Sequence, residues 1–169
     1  MLFLAGVLGL FSALSFLVWQ NIGSWWTLFS DPVIGDSYYN YFNVFRVIQS
    51  SGDELMLALG GLGIFSGSII ILGTFCLFFS CFKASKALAY LGVFSIIIGL
   101  SVFMISFANI DDYSIINSGL GFLNPQEYNV FYGYADRTLV KYTWNLSISF
   151  YICLVSILLG LISAIKLSK

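Results

Sequence analysis

Carboxylates are the side chains in this sequence that could bind a metal ion. Two pairs of neighbouring acids, Asp53-Glu54 and Asp111-Asp112, offer the oxygen ligands that divalent cations prefer. Asp53 and Glu54 also stand directly before a long apolar segment, where negative charge favours the positive end of a helix dipole. Because helix capping and solvation explain these acids without a ligand, we predict that the protein holds no metal.

The sequence offers little for nucleophilic or redox chemistry. It contains no histidine, so no imidazole is present to activate a serine or to bind haem, and no Cys/His cluster can form for zinc. Cys76, Cys81 and Cys153 all lie within apolar segments, and their spacing implies no disulfide. Cys81 lies near Lys83 at a segment end, a position compatible with acylation, although small-residue packing explains it more simply. We therefore expect a protein that is not an enzyme and carries no cofactor.

Composition places most of the chain in lipid. Of its 169 residues, 59% are hydrophobic and only 9% are charged, whereas about 25% of the residues of a soluble domain are charged. Four apolar segments are long enough for the roughly 20 residues that cross a bilayer as a helix. These predicted transmembrane helices comprise residues 1–19, 55–82, 87–107 and 144–165. The predicted fold class is all-α, a single membrane domain formed by an antiparallel four-transmembrane-helix bundle.

The charges predict the side of the membrane on which each connection lies. The short loop 83–86 contains two lysines and the C-terminal segment contains two more, and neither contains an acid. All eight acids fall in the long segments 20–54 and 108–143. Because positively charged loops stay in the cytoplasm, we predict that both termini and loop 83–86 are cytoplasmic, in a protein of the cell membrane. The two long segments are then outer loops.

Small residues recur at intervals of seven along three of the predicted spans. A seven-residue period keeps a narrow stripe of a helix against one neighbour, and small side chains let membrane helices approach closely. The alternative is that membrane helices are simply rich in Gly and Ser. No span contains an ionisable residue between its ends, which argues against an ion path or a proton relay. The predicted helix-packing residues are Gly60, Gly63, Gly67, Thr74, Gly92, Gly99, Ser106, Ser149, Ser156 and Ser163.

Both outer loops are rich in aromatic and β-branched residues, a composition typical of strands. We predict that the two loops pair into a small antiparallel β-sheet, with an amphipathic helix in the membrane interface as the alternative for residues 38–49. Aromatic side chains are also enriched in protein interfaces, so they are candidates for binding a partner unless they pack only on each other. The predicted partner-binding residues are Trp25, Trp26, Tyr38, Tyr39, Tyr41, Phe42, Phe45, Tyr128, Phe131, Tyr132 and Tyr134.

The predicted arrangement resembles that of the claudin-type tetraspan proteins, which have four helices, both termini inside, a short inner loop and an outer sheet. Gly23-Ser-Trp25 is similar to the Gly-Leu-Trp of that family's first outer loop, and the paired cysteines that follow it there have no counterpart here. The resemblance implies a self-associating surface or adhesion protein.

The preferred functional hypothesis is a non-catalytic accessory subunit of a larger membrane protein complex, which docks through its aromatic outer loops. The alternatives are the self-associating claudin-like protein and a small channel or carrier that works as an oligomer. The expected partners are the lipid bilayer, bound lipids, and other membrane protein subunits or a second copy of the chain. No basic patch indicates a nucleic acid.

Overall fold

The computed structural model describes residues 1–18, 20–45, 47–49, 60–108, 131–136 and 140–167, and it is mostly helical. The helices, in chain order, are α1 (Leu2–Leu14, continued by a 3-10 turn over Ser15–Leu17), α2 (Gln20–Gly23), α3 (Gly60–Lys83), α4 (Lys86–Ala108) and α5 (Ile148–Lys166). The strands are β1 (Trp26–Pro32), β2 (Tyr38–Phe42), β3 (Val47–Gln49), β4 (Gly133–Asp136) and β5 (Val140–Leu146).

Three helices are long and apolar enough to cross a membrane. α3, α4 and α5 contain apolar stretches of 22, 21 and 19 residues, and about 20 helical residues cross the hydrocarbon core. The first predicted span, 1–19, contains a shorter apolar helix over Leu2–Leu17. Within the described helices the charged residues are Lys83, Lys86 and Lys166, each at a helix end. The helix interiors are therefore free of the charges that lipid disfavours.

α3 and α4 form a closely packed antiparallel hairpin, joined by a turn in which Ala84 has a φ of 48°. Ser66 Oγ of α3 donates a 2.6 Å hydrogen bond to the Gly99 carbonyl of α4. One heptad further along α3, a Cβ on Gly73 would lie 2.7 Å from the Gly92 carbonyl oxygen. Glycines at these positions let the two backbones touch, which is how membrane helices gain packing contacts.

α1 runs antiparallel to α5. Near the sheet, the hydroxyls of Ser15 and Ser149 form a 3.2 Å hydrogen bond. Further into the bundle, Ser156 Oγ donates a 2.6 Å hydrogen bond to the Ala5 carbonyl. The four longer helices form a ring in which α1 packs on α3 and α5, and α4 packs on the same two helices.

The sheet combines strands from the two predicted outer loops. Its five strands are antiparallel in the order β3-β2-β1-β5-β4, and Leu28 of β1 lies opposite Trp144 of β5 in the middle. The prediction that the two loops pair into a small sheet is confirmed. β2 and β3 lie within residues 38–49, so the alternative of an amphipathic helix there is wrong.

α5 begins at Ile148, whereas the sequence predicted a helix from Trp144. Trp144 and Leu146 belong to β5 instead, and Leu146 pairs with Trp26 of β1. Ser147 is extended, with φ −101° and ψ 174°, and is the N-cap of α5. An apolar run does not distinguish the end of a buried strand from the start of a helix. Pairing with β1 is what makes these residues a strand.

One face of the sheet is buried in a core that it shares with the bundle. Trp26 and Leu28 of β1 and Tyr142 and Trp144 of β5 alternate with more exposed residues and are at most 6% exposed. The indole of Trp144 lies so close over Gly133 of β4 that no Cβ would fit there. The sheet thus rests on the helix ends by one face and leaves the other outside.

Candidate docking surface

The outer face of the sheet is formed by the residues that alternate with the buried ones. Successive side chains of a strand point to opposite faces, so every second residue of neighbouring strands lies on the same side. On β5 the residues of this face are exposed, and on β1 two of its three residues are half-buried. The outer face of these two strands comprises Thr27, Phe29, Asp31, Lys141, Thr143 and Asn145.

Four residues on four neighbouring strands form a continuous row across the outer face. The strand register places Phe29 opposite both Tyr39 and Thr143, and Thr143 opposite Tyr134. The rings of Phe29 and Tyr39 lie 4.6 Å apart at an angle of 37°. Tyr39 is 44% exposed and Tyr134 is 55% exposed. This aromatic row (Tyr39, Phe29, Thr143 and Tyr134) extends about 14 Å, three inter-strand spacings.

Polar residues flank the aromatic row on both sides. On one side, Asp31 lies opposite Lys141 in the register, and Ser37 Oγ donates a 2.6 Å hydrogen bond to Asp31 Oδ1. On the other side, Thr27 Oγ1 donates a 3.2 Å hydrogen bond to Asn145 Oδ1. An aromatic centre within a polar rim is the usual anatomy of a protein interface.

A second exposed apolar element lies at the tip of the β1–β2 hairpin. Val33 is 67% exposed and Ile34 is 87% exposed. Gly35, with a φ of 113°, adopts the left-handed conformation that reverses the chain. Pro32 lies six residue steps along β1 from Trp26, so the tip lies about 20 Å along β1 from the helix ends.

Trp25 and Trp26 are buried, which contradicts their prediction as partner-binding residues. Trp25 is 0% exposed and Trp26 is 1% exposed. Trp25 Nε1 donates a 2.8 Å hydrogen bond to the Ser12 carbonyl, and its ring lies 4.9 Å from that of Phe103 and 6.0 Å from that of Phe150. This indole therefore joins α1, α4 and α5 inside the protein.

Phe45 and Phe131 also pack inward. Phe45 is half-buried, contacts Gly67 of α3, and lies 5.8 Å from the ring of Phe16. Phe131 is half-buried against the hydrophobic core. Both side chains were predicted to face a partner, and each lies partly against the protein's own core.

The other predicted partner-binding residues lie in the sheet, just before β4, or outside the described residues. Tyr39 and Tyr134 belong to the aromatic row, and Tyr132 is 65% exposed just before β4. Tyr38, Tyr41 and Phe42 lie in β2, and Tyr128 is outside the described residues. Sequence reasoning missed Phe29, Val33 and Ile34. The alternation in residues 26–32 could have identified Phe29, but its neighbours across the sheet depend on a register that no local pattern gives.

The predicted helix-packing residues face several different neighbours. Gly92 and Gly99 contact α3. Gly67 contacts Phe45, and Thr74 contacts Gly9 of α1, so this α3 stripe faces away from α4. Ser149 and Ser156 form hydrogen bonds to residues of the α1 region, whereas Ser163 Oγ donates a hydrogen bond within α5. Gly63 is buried and Ser106 is half-buried. Gly60 is the first residue of α3.

Metal-binding groups do not cluster in the part of the chain that the structure describes. No group of three His, Cys, Asp or Glu residues comes together there. The acidic pairs Asp53-Glu54 and Asp111-Asp112 lie outside those residues.

No protein-family model and no curated protein matches the chain. The geometry of the outer face is consequently the basis for a functional proposal.

Proposed function

We propose that the protein is a non-catalytic accessory subunit of a membrane protein complex, held in the cell membrane by four helices and docked to a partner through the outer face of its sheet. The partner in this proposal is another membrane protein subunit with a folded part on the same side. The observation that carries the proposal is the aromatic row, which aligns Tyr39, Phe29 and Tyr134 across an exposed sheet face.

The position of α1 supports a fourth crossing of the membrane. α1 follows α5 from Ser149 at the sheet end to the far end, where Leu2 and Ser163 line one pocket. α5 is 19 residues long, about 28 Å at 1.5 Å per residue. A helix that accompanies α5 from end to end passes through the same layer of lipid.

The distribution of charge supports an orientation with the sheet outside. Lys83, Lys86 and Lys166 lie at one end of the bundle, whereas Asp31 of β1 and Asp36 of the β1–β2 hairpin lie at the sheet end, together with Lys141 of β5. Under the positive-inside rule, the lysine end and both termini are then cytoplasmic.

Cysteine labelling tests the orientation. In a chain whose native cysteines are replaced by serine, Tyr132→Cys places a thiol on the sheet side of the molecule but outside the aromatic row, and Lys86→Cys places one beside the α3–α4 turn. A membrane-impermeant maleimide added to intact cells should label the Tyr132 variant at once and the Lys86 variant only after permeabilisation. The reverse result would invert the proposed topology.

Tyrosine variants test the docking role. Tyr39→Ser with Tyr134→Ser removes both exposed rings of the aromatic row, and we expect the protein to remain inserted but to leave its complex in native gel electrophoresis. Tyr132→Ser is the matched control, because Tyr132 is exposed but lies outside the row. Retained association of the double variant would eliminate the aromatic row as the docking site.

Self-association is the second candidate function, and the hairpin tip favours it. Val33 and Ile34 together expose two large apolar side chains about 20 Å from the helix ends along β1, where a second copy could cover them. A native mass of the purified chain alone distinguishes the candidates: the accessory subunit is a monomer without its partner, and the self-associating protein is an oligomer. Val33→Ser with Ile34→Ser should dissociate such an oligomer.

A further inference from the structure

A pocket opens at the end of the bundle opposite the sheet, between α1, α3 and α5. It has a volume of about 350 Å³. It lies beside the α3–α4 turn and the last turn of α5, which is the lysine end of the molecule. Its lining includes Leu2, Ser80, Cys81, Ala84, Ser163 and Lys166.

The lining combines an apolar wall with the ammonium group of Lys166. Leu2, Ala84 and the side chain of Leu167 supply apolar surface, Lys166 supplies a charged side chain, and Met1 also lines the pocket. The two serine hydroxyls already donate 2.7 Å hydrogen bonds to backbone carbonyls, Ser80 to Ser85 and Ser163 to Leu159. Among the lining side chains, Lys166 is therefore the one that can pair with an anionic ligand.

The charge of this end of the bundle favours an anion. Lys83 and Lys86 flank the adjoining turn. No Asp or Glu occurs in residues 1–19, 55–107 or 144–169, the sequence of all four predicted spans with the short connection and the C-terminal segment. A negatively charged group in the pocket thus meets lysines and no carboxylate side chain from the helices that form it.

We propose that this pocket binds an anionic glycerophospholipid, with its phosphate at Lys166 and its glycerol and upper acyl chain along the apolar wall. Basic pockets between membrane helices are suited to lipid headgroups, because a lysine near the membrane surface attracts their charge. A membrane lipid fits better than a soluble phosphate because most of the lining is apolar and the pocket opens at the ends of membrane-crossing helices. This site is independent of the docking surface at the other end.

Cys81 provides a direct measure of occupancy. Its side chain is exposed and lines the pocket, whereas Cys76 is half-buried and Cys153 is buried. A lipid in the pocket must cover the Cys81 thiol and slow its alkylation.

The experiment uses the full chain, purified in a non-ionic detergent and stripped of lipid. Phosphatidylglycerol or phosphatidylcholine with the same acyl chains is added, and Cys81 alkylation by a maleimide is followed by peptide mass spectrometry. Phosphatidylglycerol should slow the reaction, and phosphatidylcholine should leave it unchanged. Lys166→Ala should raise the phosphatidylglycerol concentration needed for half-protection about fivefold, as loss of one lysine implies. In the Lys166→Arg variant, phosphatidylglycerol should still slow Cys81 alkylation, because arginine keeps the positive charge. That result would show that the position tolerates substitution.

Lys86→Ala is the matched control, because Lys86 lies near the same end but outside the pocket lining, with its ammonium 5.7 Å from the Tyr90 ring centre. In this variant, phosphatidylglycerol should slow Cys81 alkylation as much as it does in the unmodified chain. Equal protection by both lipids would overturn the proposal, as would equal effects of Lys86→Ala and Lys166→Ala. Protection by inorganic phosphate alone would assign the pocket to a soluble anion instead.

Discussion

Replacing Trp25 by alanine should destabilise the helix bundle rather than remove a docking contact. The indole is 0% exposed and contacts Phe103 and Phe150, and its Nε1 donates a 2.8 Å hydrogen bond to the Ser12 carbonyl. Truncating a buried tryptophan to alanine costs about 3–5 kcal/mol. Each kcal/mol lowers the melting temperature of a chain of this size by about 2–4 °C, so we expect a decrease of about 6–20 °C.

The assay follows the buried thiol of Cys153 with a thiol-reactive dye during heating in detergent. Cys153 is 0% exposed, so it reacts only when the bundle opens. Cys76 and Cys81 are replaced by serine to remove the background of the more accessible thiols. Tyr132→Ala is the control, since Tyr132 is 65% exposed and a surface substitution shifts stability by about 0.5 kcal/mol or less.

Trp25→Phe refines the test, because it keeps an aromatic ring against its neighbours and loses only the larger ring system and the N–H donor. Its melting temperature should lie between those of the unmodified chain and Trp25→Ala. If Trp25→Ala melts within about 2 °C of the unmodified chain yet loses its partner, the indole belongs to the docking surface and our assignment is wrong.

Three further substitutions test the packing. Gly92→Leu forces a side chain against the Gly73 carbonyl and should lower the free energy of unfolding by about 1–3 kcal/mol in the same thermal assay. An unchanged melting temperature would contradict the close packing of α4 on α3. Gly133→Val displaces the Trp144 ring and should lower the melting temperature, while the helical circular dichroism signal before heating is retained. Loss of that helical signal would contradict an effect confined to the sheet. Ser156→Ala removes one hydrogen bond to α1 and should cost only about 0.6 kcal/mol, so a loss of several kcal/mol would contradict this assignment.

The long helices and the sheet could be predicted from the sequence. The apolar stretches that became α3, α4 and α5 exceed what a soluble helix needs, so their length alone identified them. The aromatic and β-branched composition of the loops predicted strands, and two loops on one bundle have few other pairing partners. The start of α5 was missed because Trp144 and Leu146 suit either a strand or a helix.

The role of Trp25 could not be predicted, because an indole at the membrane interface and an indole between helix ends occur at the same place in a sequence. What decides between them is the space left by Gly23, where a Cβ would overlap the backbone at Phe16. This close contact brings the chain before β1 against the end of α1. Such a contact depends on tertiary structure and leaves no local pattern.

The sequence identified the stripes of small residues but not the neighbours that each stripe contacts. Gly67 and Thr74 lie on the same stripe as predicted, but they meet Phe45 and α1, and the contact with α4 is made by Ser66 and Gly73. Small residues permit close approach to any neighbour, so their period describes a helix face and not the helix that it meets.

A photo-reactive amino acid at position 143 tests the docking proposal most directly. Thr143 is exposed in the aromatic row, between Phe29 and Tyr134 in the register. The control position is Tyr151, which is 53% exposed on α5. Illumination of intact cells should give a discrete adduct with a second polypeptide of different sequence at position 143, and the same polypeptide should be absent from the adducts at position 151. Adducts with lipid alone at position 143, or the same polypeptide at both positions, would contradict docking through the outer face.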